Sequence, residues 1–442
     1  MFQNQAEKVK TGFWLLNLDK ISKLFFYLLI IFLPTQLGKH FWPNSSFVYG
    51  LRLDYLSPTF YFTDLLIILI FIFSFSKLLK VIKNTPKKYL LAYLLFLSTL
   101  LLGLIGARNF LVGIYGIGKF LEFSFLIYYI SQNYRKFNKL FLFFCVSLSI
   151  LFETILTFLQ YFNQGSVGGA FYLFGERAFN AITPGVANAS INGQLFLRPY
   201  ATFSHPNVLA GFLIFSMLLL ILFSFKEKHL IKFTILGSVF GTAALLLTLS
   251  RAAIFLWLIY LIVLFGLSLD EKYKKRKFNS LQAVLLILII VGITIILFLQ
   301  NNYIVQRFLT TNLLDESLMQ RQELMTQSLD MFWKNPIFGV GVNNFFNNLV
   351  IGISKQNDFL IQPVHNIFLL VLSETGVIGL VFVLSIFIKS IAMILKKKQN
   401  KVYLLMLIFA TIFLGMFDHY FLTLQQGQLM LAFIIGISIS KS

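Results

Sequence analysis

The sequence predicts an all-α, polytopic membrane protein: a bundle of about 12 spanning helices with one long outside loop that carries an amphipathic helix. Three observations predict it. The 442 residues are 58% hydrophobic, include 53 Phe and are only 12% charged, whereas a soluble domain carries about 25% charged residues. Apolar runs long enough to cross a bilayer recur along the whole chain. The basic residues collect in short segments between those runs, as in Lys83 with Lys87 and Lys88, Lys272-Tyr273-Lys274-Lys275-Arg276-Lys277, and Lys396-Lys397-Lys398.

That placement accounts for the formal charge of +20. It is the positive-inside pattern, so a nucleic-acid partner is not expected. Residues 1–20 are polar and basic, which places the N-terminus in the cytoplasm. The apolar run that begins near Ile21 lacks a small-residue cleavage site and reads as a first span rather than a signal peptide. Spans follow at 21–37, 59–79, 88–106, 110–131, 139–163, 206–225, 231–249, 252–269, 281–299, 365–388, 402–418 and 425–440. An even number returns the C-terminus to the cytoplasm. Cys145 is the single cysteine and lies within an apolar run, which excludes an intrachain disulfide and a cysteine-based zinc site. With no repeat and no low-complexity linker, residues 1–442 form a single membrane domain.

Two extracytoplasmic loops are long. The first, 163–204, is rich in Gly, Asn and Ala and ends in Arg198-Pro199-Tyr200-Ala201-Thr202-Phe203-Ser204-His205-Pro206-Asn207. Pro206 suits the first turn of the next helix, with Ser204 as its expected cap. The second loop, 300–363, is the larger. Within it Ser317-Leu318-Met319-Gln320 has capping-box spacing, and Leu318, Met325, Leu329 and Phe332 recur at helical intervals. These predict an interfacial helix over about 316–334. Pro336 to Asn344, with Gly339 and Gly341, reads as a turn that lets backbone approach closely.

Ionisable groups at span ends are costly and mark candidate sites. Arg251 stands where two helices meet with almost no loop, Arg321 on the loop helix, and His365 beside Asn366 at the start of the tenth span. Each has a plain structural reading: snorkelling to headgroups, pairing with Glu316 or Glu323, and a hydrogen-bonded surface histidine. The topology puts all three on one face. Arginine forks bind phosphate oxygens and keep their charge, which suits a diphosphate at a membrane surface. An imidazole near two arginines is biased toward its neutral form and can accept a proton from a hydroxyl. Together they describe transfer of a group from a lipid diphosphate to an alcohol. There is no acidic-x-acidic triplet, no P-loop and no dinucleotide fingerprint, so neither a metal nor another cofactor is expected and an ATP-driven pump is disfavoured.

At these residues the chain resembles the O-antigen ligase and O-antigen polymerase superfamily of bacterial polytopic membrane glycosyltransferases. The matching pieces are Arg198 to Asn207 leading into a helix; Thr248-Leu249-Ser250-Arg251; Arg321 followed by Asn335-Pro336-Ile337-Phe338-Gly339-Val340-Gly341; and His365-Asn366 followed by Glu374-Thr375-Gly376-Val377-Ile378-Gly379-Leu380. The chain departs from the usual pattern in having Ala252 after the Ser-Arg pair and Ser204-His205 before Pro206. The resemblance implies an all-helical enzyme of the bacterial cytoplasmic (inner) membrane that works without metal or nucleotide sugar. It would take a glycan from an undecaprenyl diphosphate carrier on the extracytoplasmic face.

By that resemblance Arg251 and Arg321 engage the diphosphate, and His365 activates or positions the acceptor hydroxyl. Arg198, Asn207 and Asn366 belong to the same substrate-binding pattern. Glu374 falls near the opposite helical face from His365 and is not expected to be its carboxylate partner. The leading expectation is an inverting, metal-independent glycan transferase whose acceptor is a lipid, a second glycan or a protein hydroxyl. The rival is a multi-spanning transporter or flippase of a lipid-linked glycan, for which Lys119 and Glu122, three apart within a span, are the one hint.

Overall fold

The structure, a computed structural model, describes residues 18–84, 86–191, 194–224, 227–269, 316–350 and 361–440. The expected ninth span at 281–299, the basic segment 272–277 and the loop stretches 300–315 and 351–360 lie outside them. The described residues are mainly helical. Helix α1 covers 18–31; then come α2 (Phe62–Asn84), α3 (Lys87–Gly103), α4 (Phe110–Asn133), α5 (Lys139–Asn163), α6 (Pro206–Ser224), α7 (Ile231–Leu247) and α8 (Arg251–Leu269). After 270–315 follow α9 (Glu316–Lys334), α10 (Ile367–Leu395), α11 (Lys401–Phe417), the single turn α12 (Tyr420–Thr423) and α13 (Gln425–Ile439). Three two-stranded antiparallel sheets occupy the segments between α1 and α2 and between α5 and α6.

Every expected span that falls on described residues is helical, yet only five of these helices are long and apolar enough to cross a membrane. They are Phe62–Leu79, Phe110–Lys136, Lys139–Asn163, Pro206–Ser224 and Ile367–Leu395. The sequence count treats each apolar run as one crossing, but α3, α7 and α11 have 17 residues and α13 has 15. A helix rises 1.5 Å per residue, so these are shorter than the hydrocarbon core is thick.

Helix α6 lies at the centre. It is apolar on all sides and almost wholly buried, packed in the main core with residues of α1, α2, α4, α5, α7, α8, α10, α11 and α13. A helix without a polar face must be enclosed in this way. Where helix ends need donors satisfied, asparagines serve: Asn109 accepts from Val112 N, Asn138 from Phe141 N, and Asn366 from Phe368 N and Leu369 N. At the start of α6 the cap is His205, whose Nδ1 accepts from Asn207 N at 3.1 Å, while the hydroxyl of Ser204 makes no hydrogen bond among the described residues. The expected cap was therefore one residue too early: Pro206 is the first helical residue, so the capping position is its immediate neighbour.

Lys119 is neutralised inside the bundle. Its ammonium donates to Asp64 at 2.7 Å, to Glu122 at 3.0 Å and to Gln425 at 3.2 Å, joining α2, α4 and α13. All three N–H bonds are used.

Helix α10 is broken at Gly376, which has φ 65° and ψ −166°. The break frees carbonyls, and the turn after α9 takes them: Val340 N donates to Ser373 O at 2.9 Å and Gly341 N to Glu374 O at 3.0 Å. In return Val377 N donates to Pro336 O at 2.9 Å. A Cβ at Gly339 would collide with the backbone of Glu374, and one at Gly376 with that of Ile337. Side chain follows backbone: Glu374 is buried against the same turn, where Phe345 N donates to its Oε1 at 3.2 Å. Helix α9 packs back on α10 through Leu324, Met331 and the Ser328 hydroxyl, which donates to Leu369 O. Met319, Met325, Leu329 and Trp333 of α9 are exposed.

Gly376→Ala should therefore destabilise the protein by about 2–5 kcal/mol, combining positive-φ strain with a collision against fixed backbone. The check is the thermal midpoint for loss of monodisperse protein in detergent. Gly266→Ala, where a Cβ meets open space, should leave that midpoint in place.

Candidate active site

The segment before α6 is held by side chains of α5. Gln160 Oε1 accepts from Tyr200 N and Ala201 N, and Glu153 accepts from Thr202 through its backbone N–H at 3.1 Å and its hydroxyl at 2.8 Å. These bonds keep Ala201 at φ 50°, in the left-handed region, a conformation that persists only where surrounding contacts over-determine it. They aim Arg198 inward. Its Nε donates to Thr248 O at 2.8 Å and one terminal nitrogen donates to Asn207 Oδ1 at 2.7 Å. Arg198 thus ties the α7–α8 corner to the start of α6.

Asn207 passes the connection on, its Nδ2 donating to Asp418 Oδ2 at 2.9 Å. Asp418 follows α11 and is buried. Its Oδ1 accepts from the backbone N–H of His419 at 2.8 Å and faces Nδ1 of His365 at 3.8 Å and Nε2 of His419 at 3.9 Å. The two imidazoles lie 5.1 Å apart, centre to centre. His365 Nε2 lies 3.2 Å from Gln362 Oε1, while its buried Nδ1 has no hydrogen-bond partner among the described residues. His419 is oriented by Thr423, whose hydroxyl lies 2.7 Å from Nδ1.

The electrostatics follow from enclosure. Burial alone would raise the Asp418 carboxyl, but the facing His365 overcomes it and holds the group well below the usual carboxylate range. Burial pushes His205 and His419 down to about 3, with Arg198 adding to the effect on His205 and His365 and Arg321 to that on His419. Both imidazoles are neutral near pH 7. The donor atoms of His365, Asp418 and His419 lie within 4.8 Å of one another, a spacing that could also hold a metal ion.

The structure joins His365, Arg198 and Asn207 through Asp418. Arg321, on α9, is near enough for its charge to act on His419. Arg251 heads α8, three residues past the Thr248 carbonyl that Arg198 holds. Among the described residues neither Arg251 nor Arg321 has a hydrogen-bond or ion-pair partner. Asn366 caps α10 and also donates to Met416 O at 3.3 Å, fastening α10 to α11. The carboxylate beside His365 is Asp418, which the sequence reading did not single out, and His205 and His419 also joined the site unannounced. The signal was present: Asp418-His419 stands between two apolar runs with scarcely a loop, the criterion that picked out Arg251.

Residues 236–384 match a family model described as O-Antigen ligase. The matched stretch contains Arg251, Arg321, His365, Asn366 and the 336–344 turn, and supports the superfamily resemblance carried by those motifs. No curated protein matches the chain.

The neutral histidines give the fold a pH dependence. Below about 6.5 the unfolded chain protonates His205 and His419 while the folded protein does not, so stability falls as pH drops from about 6.5 toward 3. The slope reaches ~1.4 kcal/mol per pH unit for each histidine. Thermal midpoints measured from pH 7 to pH 5 should decline, and the decline should be shallower in His419→Gln.

Proposed function

Because residues 236–384 carry an O-antigen ligase domain, we propose that this membrane protein transfers a glycan from an undecaprenyl (polyprenyl) diphosphate-linked donor to a hydroxyl acceptor. The face is extracytoplasmic, and the reaction proceeds with inversion and without a metal. The observation that carries this reading is the His365–Asp418 pair, beside a His419 that the charge of Arg321 reaches. Asp418 favours the tautomer of His365 with its proton on Nδ1. The 3.8 Å gap between them is of the kind that tightens when substrate binds. Nε2 is then an acceptor; Gln362 Oε1, 3.2 Å away, can itself only accept, so in this tautomer it gives way to an incoming hydroxyl that donates to Nε2.

In the transfer step the acceptor oxygen forms a bond to the anomeric carbon as its proton passes to His365 Nε2. The bond from that carbon to the diphosphate oxygen breaks, and the electron pair leaves with the diphosphate. A single displacement of this kind inverts the configuration. Arg321 and Arg251, without partners among the described residues, stabilise the growing charge on the leaving group. Arg198 and Asn207, already bonded to Thr248 and Asp418, position the carboxylate rather than grip the donor. Asn366 sets the N-terminus of α10 and with it the direction of His365.

The test is glycan transfer by purified protein in liposomes with a lipid diphosphate-linked oligosaccharide donor. His365→Ala and Arg321→Ala should each lower kcat by at least about a hundredfold. Asp418→Asn should lower kcat with donor KM little changed, since it acts through His365. Transfer should survive EDTA. Loss in EDTA with recovery on adding zinc would instead assign His365, Asp418 and His419 to a metal. Donor that crosses the bilayer unconsumed, equally in wild type and variants, would mark a flippase.

A further inference from the structure

A neutral His365 has one ring proton and two places for it, Nδ1 facing Asp418 or Nε2 facing Gln362. Gln362 Oε1 can only accept, so its 3.2 Å contact uses the proton on Nε2 and leaves Nδ1 with a lone pair. That nitrogen is buried, without a hydrogen-bond partner among the described residues, and faces Asp418 Oδ1 at 3.8 Å. His419 repeats the arrangement. The Thr423 hydroxyl reaches the His419 carbonyl at 3.3 Å and lies 2.7 Å from its Nδ1. A hydroxyl that gives its proton to the carbonyl accepts one from Nδ1, which leaves the lone pair on Nε2, 3.9 Å from the same Asp418 oxygen. Two lone pairs thus meet a carboxylate oxygen across gaps too long for hydrogen bonds.

Two imidazole nitrogens and a carboxylate oxygen, all within 4.8 Å of one another, are the donor set of a tetrahedral zinc site whose fourth position is open. Zinc bonds of about 2.0–2.1 Å put neighbouring donors about 3.3 Å apart, so each gap closes by roughly half an ångström around the ion. The outer partners fit as well. Metal-bound histidines hand their other ring N–H to a fixed acceptor, and here Gln362 and Thr423 take those protons while Asn207 Nδ2 holds the second Asp418 oxygen at 2.9 Å. Nitrogen donors select against magnesium and calcium, which prefer oxygen. His205 stays outside the set because its Nδ1 already accepts from Asn207 N. His365 is half-buried and Gln362 exposed, so an ion can enter from their side.

We propose that His365, Asp418 and His419 bind a zinc ion, and that the bound ion inhibits transfer. Zinc takes the place at Nδ1 that the proton holds in the reactive tautomer. The proton then sits on Nε2, where Gln362 accepts it, and His365 has no nitrogen left for the proton of an acceptor hydroxyl. The inhibition rests on the reading of His365 as the base; the binding does not. Since the ion removes the base, zinc should lower kcat and leave the acceptor KM little changed.

The experiment begins with full-length protein in detergent, stripped with EDTA and dialysed against zinc or cobalt(II) alone. Wild type should take up one zinc per chain at the cluster, and bound cobalt should show the strong visible absorption of a four-coordinate ion. Affinity should fall at least about tenfold in Gln362→Leu, which removes only the outer acceptor at an exposed position, and further in His419→Ala. Gln362→Glu, which keeps an acceptor there, should retain it. His229→Gln, at an exposed histidine 3.7 Å from Glu227, should leave both uptake and spectrum unchanged. In the liposome assay at buffered free zinc, each rate is taken relative to the same variant without metal. Wild type and His229→Gln should be inhibited alike, and Gln362→Leu only at about tenfold higher zinc. Equal binding by wild type and His419→Ala, or a six-coordinate cobalt spectrum in wild type, would overturn the site. Zinc bound at the cluster with transfer undiminished or stimulated would overturn the inhibition. Dialysis and spectra need no turnover, so failure of the transferase reading would leave the binding result standing.

Discussion

The site depends on how one buried carboxylate is kept charged. Among the described residues Asp418 has no lysine or arginine against it; its charge is met by the Asn207 amide, the backbone N–H of His419 and the facing imidazole of His365. These partners come from α6, from the corner after α11 and from the entry to α10. Removing any one leaves a buried charge short of a donor, at a cost of about 1–3 kcal/mol or more. The same requirement therefore fixes three segments against one another and sets the direction of the histidine.

Arg198 shows how function and support divide among like residues. A guanidinium bonded to a carbonyl and an amide has spent its fork on the protein. Arg251 and Arg321 have no such commitments among the described residues. Three arginines that look equivalent as motif letters thus stand differently in the structure, one bonded to the protein and two without a hydrogen-bond or ion-pair partner among the described residues.

Much of the fold was legible because hydropathy in a membrane chain is a strong signal, and nearly every apolar run on described residues is a helix within a few positions of its expected ends. The crossing count was less legible, since runs such as 425–440 give helices too short to be counted by length. The arginines and His365 stood out as ionisable groups at apolar boundaries. Asp418 did not, although it satisfies the same criterion, because attention to paired carboxylates passes over an Asp-His neighbour. The partnership of residues 207, 365 and 418 is a long-range contact with no local pattern to announce it. Helix α9 was visible from its period, but Met325 and Leu329, which define that period, lie on its exposed face, while Leu324 and Met331 are the residues that pack. Periodicity finds a helix more readily than it finds which side is inward.

The clip between the 336–344 turn and the break in α10 is made almost wholly of peptide groups, with Val340, Gly341 and Val377 donating to carbonyls. Peptide donors are not encoded by side chains. The clip itself therefore constrains the turn's length and the glycines at 339, 341 and 376 rather than its side chains, while Val340 is held by packing and Asn344 by its bonds to Asn109. A Pro-x-x-Gly-x-Gly string of this sort records the path of a backbone rather than the chemistry of a site. Its diagnostic value lies in showing where a loop outside the helices is hydrogen-bonded onto one of them.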